Sequence, residues 1–84
     1  GLRQYRAING EGFTLEVWDF KSASGFDFAV KIFQAVTLVS DTEAYKARPY
    51  IITIKTQDSG FSQAVFKKLA QLLPELREIG DREY

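Results

Sequence analysis

The chain reads as an α+β domain: an antiparallel sheet of about four or five strands with a C-terminal amphipathic helix packed on one face. Three observations lead there. Two stretches, FTLEVWDF (13–20) and YIITIKT (50–56), alternate with the period of two that strands impose, and the first follows the turn-forming NGEG. The segment FSQAVFKKLAQLL (61–73) instead repeats apolar residues every three or four positions, the period of a half-buried helix. A chain of 84 residues holds one domain with one modest core, so residues 1–84 are expected to fold as a unit.

RQYRAI (3–8) and FTLEVWDF bracket NGEG and form a hairpin, with the Asn9–Gly10 pair supplying the positive φ angles of a tight reversal. In the second strand Phe13, Leu15 and Val17 face the core, while Thr14, Glu16, Trp18 and Phe20 face the other way. KSASG (21–25) is a loop of small and polar residues. FDFAVKIFQAVTLV (26–39) admits two readings. Phe26, Ala29, Val30 and Phe33 share one helical face, but Phe26, Phe28, Val30 and Ile32 also alternate with Asp27, Ala29 and Lys31. Its β-branched and aromatic content predicts an extended strand. SDTEAYKAR (40–48) is expected to be a polar connection with room for one helical turn, capped by Ser40 or Asp41 and closed by Pro49.

The strand 50–56 places Tyr50, Ile52 and Ile54 on one side and Ile51, Thr53 and Lys55 on the other. After QDSG, the helix buries Phe61, Val65, Leu69, Leu72 or Leu73, and Leu76, and turns Ser62, Gln63, Lys67 and Lys68 away. Pro74 cannot donate the bond back to Ala70, so it ends or kinks the helix before ELREI. One helix covers one face of such a sheet and leaves the other to a loop, to solvent or to a partner.

The composition narrows the function. The chain is 45% hydrophobic, 14% aromatic and 26% charged, as folded proteins are. It has no Cys and no His, which excludes disulfides and thiolate sites and removes the commonest general base and metal ligand. No phosphate-binding glycine loop, dinucleotide fingerprint or nucleophile elbow occurs. Glu16, Asp19, Asp27, Asp41 and Glu43 show no ligand spacing and read as solvated charges. The expectation is a non-enzymatic module without cofactor or metal. Eleven basic residues balance eleven acidic ones, so nothing draws the whole chain to nucleic acid. No apolar run reaches the roughly 20 residues that span a bilayer, and GLRQYR lacks the apolar region of a signal peptide. An intracellular, cytoplasmic module is expected, and from the start at Gly1 instead of Met the expectation is either an excised domain or a tag remnant followed by one.

Two candidate surfaces emerge. Trp18 and Phe20 share the sheet face opposite Leu15 and Val17, where they are either buried under a loop or second layer, exposed to a protein partner, or a stacking platform for bases. With a single helix, they are the partner-binding or self-association surface. Between residues 44 and 68, Lys46, Arg48, Lys55, Lys67 and Lys68 stand against Asp58 alone, a candidate site for anionic lipid or phosphopeptide.

The succession VKIFQAV, YIITIKT, a DSG loop and FSQAVFKKLAQLL resembles, over residues 26–76, the C-terminal half of kinase-associated C-terminal domains, the non-catalytic modules of AMP-activated, checkpoint and MARK-type kinases. Lys31, Ile32, Phe33 and Gln34 match that family's strand-ending pattern, and Gly60 and Phe61 lie where its helix opens. FTLEVWDF is also similar to an early strand of a polo box, and strands closed by a helix resemble a pleckstrin-like fold. What these resemblances imply is a regulatory or targeting module that binds a protein surface or an anionic ligand. The alternatives are a polo-box-like or pleckstrin-like scaffold that mediates oligomerisation, and a small nucleic-acid-binding domain.

Overall fold

The computed structural model describes residues 1–80. Five strands and two helices follow in the order β1 (Leu2–Gly10), β2 (Phe13–Phe20), α1 (Ala23–Val39), β3 (Thr42–Ala47), β4 (Tyr50–Thr56), α2 (Ser59–Leu72) and β5 (Arg77–Ile79). The strands form one sheet in the order β1-β2-β4-β3-β5, and every neighbouring pair is antiparallel. The α+β class and the antiparallel sheet are those the sequence predicts, and the five strands fall within the four or five expected.

The hairpin is present, with its reversal two residues later than the Asn9–Gly10 pair suggests. Gly10 pairs with Phe13, so Glu11 and Gly12 form the loop, and the positive φ of 83° falls on Gly12. Gly10 is needed for a different reason. A Cβ there would lie 1.9 Å from Cε1 of Phe13, whose ring folds back over the strand end.

The largest correction concerns residues 26–39, which are helical and not extended. Ser22 caps α1, its Oγ accepting from the Gly25 amide at 3.0 Å, and the face Phe26, Ala29, Val30 and Phe33 packs on the sheet. The alternating reading fails because the helix covers an apolar sheet face that would otherwise meet water, which a further strand at an edge of the sheet would leave bare. The sheet therefore lies between two helical layers instead of carrying one. Phe20, Ala44, Ile51 and Ile79 form the core beneath α1; Tyr45, Ala47, Ile52, Ile54 and Leu76 form the core beneath α2.

The topology explains why the helices take opposite faces. α1 links β2 to β3 and α2 links β4 to β5; each crossover skips one strand and moves toward the same edge of the sheet. β2 and β4 run antiparallel. Two crossovers that shift the same way from oppositely directed strands have the same hand only if they pass over opposite faces, and a single hand is strongly preferred for such connections.

Residues 42–47, expected in a polar connection, form β3, held between β4 and β5 by antiparallel pairing on both sides. Strand β4 has the bounds and the two faces predicted, with Ile51, Ile52, Thr53 and Ile54 all buried because both faces are covered. Helix α2 begins after Asp58, whose Oδ1 accepts from the Phe61 amide at 3.1 Å, and it ends at Leu72 ahead of Pro74. Val65, Leu69 and Leu73 pack inward, whereas Leu72 is exposed. Ser62, which the helical period turns outward, is instead 1% exposed. Its hydroxyl lies 3.1 Å from Glu43 Oε2 and 3.0 Å from the Ser59 carbonyl, which satisfy it against the sheet. Past Pro74 the chain adds β5, an element that ELREI alone did not announce.

Candidate interaction surface

Both faces of β2 are used. Leu15 and Val17 pack toward α2, and Trp18 and Phe20 pack toward α1. Of the readings open for this pair, burial under a second layer describes them, and the layer is α1. Phe20 is 9% exposed and meets Phe26 edge to face at 6.2 Å; Trp18 is half-buried, with Phe33 at 5.6 Å and Tyr5 at 4.5 Å between ring centroids. The Trp18 indole nitrogen is buried with no acceptor among the described residues.

Helix α1 does not close this face completely. It sits nearer to β3 than to β1, and the gap on the β1 side is an open groove of about 390 Å³ whose walls are almost entirely apolar. Leu2, Trp18 and Phe20 form its floor, and Phe28, Ile32 and Phe33 rise from α1 as its wall. The two aromatics singled out from sequence thus line this groove from below, while its exposed rim is built by Phe28 and Ile32. Those two residues were hidden by the strand reading, which put them on the same face as Phe26.

The five predicted cations do not gather. Lys46 and Arg48 share a groove of about 590 Å³ with Lys31 and Arg77, beside Asp27 and Glu75. Arg48 donates to Asp27 Oδ1 at 2.8 Å and stacks over the Phe26 ring at 5.0 Å. Lys55 sits at the far end of β4 near Gly12 and Thr14, and Lys67 and Lys68 are exposed on α2, which covers the opposite face. Lys31 and Arg77 are the cations that sequence order could not bring to Lys46.

The carboxylates are largely committed to the fold. Glu16 accepts from the hydroxyls of Tyr5 and, at 3.0 Å, Thr53. Glu43 accepts from Tyr45 at 2.5 Å and from Ser62. Asp19, 9% exposed, has the Arg3 guanidinium at 3.5 Å. Asp41 and Glu43 border an open polar hollow of about 600 Å³ with Ser40, Gln57, Ser59 and Glu78. The Tyr5 phenol is held above the usual tyrosine range, chiefly because it donates to Glu16 and further because partial desolvation and the Glu16 charge oppose its ionisation. Among the described residues no group of three or more carboxylates is arranged to hold a metal ion, and no helix is long and apolar enough to cross a membrane.

No protein-family model matches the chain, and no curated protein or solved structure matches it. The strand that a kinase-associated C-terminal domain would place at Lys31–Gln34 is part of α1 here.

Proposed function

We propose that this domain is a non-catalytic interaction module, regulatory or targeting in its role and intracellular in its setting, that binds protein through the apolar groove between α1 and the β1–β2 hairpin. The observation that carries this reading is the groove itself: Leu2, Trp18, Phe20, Phe28, Ile32 and Phe33 line it with scarcely a polar atom among them. Contiguous exposed apolar surface of this kind marks association sites on folded domains. The carboxylates support the reading from the other side, since Glu16, Glu43, Asp27 and Asp19 are engaged by Tyr5, Ser62, Arg48 and Arg3 in holding the strands and the two helices together.

Selection of displayed peptides against the immobilised domain, counter-screened on Ile32→Asp, tests it. The reading expects peptides with aromatic or aliphatic anchors that bind the parent and not the variant. Peptides retained equally by both would place binding elsewhere.

A second reading, capture of an anionic headgroup, is favoured by the four cations Lys31, Lys46, Arg48 and Arg77 around one groove. Sedimentation with anionic phospholipid vesicles would show binding that falls with salt and in Lys46→Glu. Absence of binding at low salt would eliminate this second reading.

A further inference from the structure

Helix α1 carries a second apolar stripe besides the one that packs on the sheet. Phe28, Ile32, Ala35 and Val39 are spaced four, three and four residues apart and all are exposed. This is the narrow seam by which one helix packs along another. Over its 17 residues α1 has only two charges, Asp27 and Lys31, and Asp27 is tied to Arg48. The contrast with α2 is direct, since the outer face of that helix presents Gln63, Lys67, Lys68 and Gln71 to solvent. A helix apolar on two sides belongs between two layers, and the described residues supply one of them.

Resting on the groove reading above, we propose that the partner seated on α1 is a second copy of this chain, packed antiparallel about a two-fold axis that passes between Ile32 and Ala35. The seam is self-complementary in that arrangement. Phe28 of one copy meets Val39 of the other, and Ile32 meets Ala35, so a larger side chain faces a smaller one at each level. A parallel pairing would instead set Phe28 against Phe28. No charge lies in the seam to be buried unpaired. The area is also adequate. Phe28 (66% exposed), Ile32 (48%) and Val39 (85%) on the seam, with Leu2 (40%) and Tyr5 (44%) on the neighbouring β1, present on the order of 600 Å², within the range of roughly 600–1,000 Å² that each partner of a standard interface buries. Two-fold dimers with one patch used twice are the commonest assembly, and this patch has the symmetry they need.

Sedimentation velocity over a wide range of concentration tests the proposal. The parent should sediment as a dimer, and Ile32→Lys should weaken association at least about 30-fold while keeping its far-ultraviolet circular dichroism. Ala35→Glu, at an exposed helical position, gives the same readout should Ile32→Lys fail to fold. Because the chain has no cysteine of its own, Phe28→Cys/Val39→Cys should cross-link between copies under oxidation, and Phe28→Cys alone should not. A dimer that survives both charged variants uses another surface, such as the β1 edge, and overturns the proposal. A parent that stays monomeric overturns it too, and peptides selected on the parent but lost on Ile32→Asp would then show that the groove still binds protein.

Discussion

The indole of Trp18 and the ring of Phe33 meet edge to face, with centroids 5.6 Å apart and planes at 61°, and this contact fastens α1 to β2. Tyr5 continues the line, its ring 4.5 Å from the indole, so three aromatics join β1, β2 and α1 in a row. Phe33→Ala removes the α1 end of that row from a half-buried site and should cost about 2–4 kcal/mol in urea denaturation. A change under about 0.5 kcal/mol would mean that α1 is not seated on Trp18.

The second layer has its own test. Leu69 packs beneath α2 against the core of Tyr45, Ile52, Ile54 and Leu76, whereas Lys67 is exposed. Leu69→Ala should cost about 2–4 kcal/mol and Lys67→Ala close to nothing. Equal effects of the two would contradict the phase of α2.

Ser62 is a polar residue inside an apolar contact. Its hydroxyl serves Glu43, which also accepts from Tyr45. Ser62→Ala leaves a part-buried carboxylate one donor short and should destabilise by about 1–2 kcal/mol, and Ser62→Leu should cost more by overpacking the helix against the sheet. An Ala variant as stable as the parent would show that Tyr45 alone satisfies Glu43.

The Tyr5–Glu16 bond makes stability depend on pH in one direction. The folded chain holds the phenolic proton more tightly than the unfolded chain, in which tyrosine titrates near about 10. The contribution is therefore complete below about pH 10 and is lost as pH rises through the elevated native value. Urea midpoints should fall on the alkaline side for the parent, and the fall should be shallower in Tyr5→Phe. Identical alkaline slopes would mean that Glu16 does not hold the phenol in solution.

Strands β2 and β4 and helix α2 were legible because their patterns are pure. FTLEVWDF and YIITIKT alternate cleanly, and FSQAVFKKLAQLL has one apolar stripe with cations opposite. Helix α1 was obscured by the property that makes it of interest. A helix with two apolar stripes, Phe26-Ala29-Val30-Phe33 and Phe28-Ile32-Ala35-Val39, fills alternate positions as well, so 26, 28, 30 and 32 mimic one face of a strand. Strand β3 was obscured for the converse reason. TEAYKA is rich in helix formers, and it is extended only because β4 and β5 pair with it on both sides, a tertiary cause that local propensity does not carry. The groove followed from the same misreading: Trp18 and Phe20 were visible as its floor, but its exposed wall needed α1 to be a helix.

The phase of α1 carries the whole account, and one pair of variants measures it. In a strand Phe26 and Phe28 would share a face; in the helix they part, Phe26 into the core at 4% exposure and Phe28 onto the surface at 66%. Urea denaturation and sedimentation velocity should be run together on Phe26→Asp and Phe28→Asp. The account predicts that Phe26→Asp loses the fold, whereas Phe28→Asp stays folded and loses association. Comparable loss of stability in both variants would contradict it.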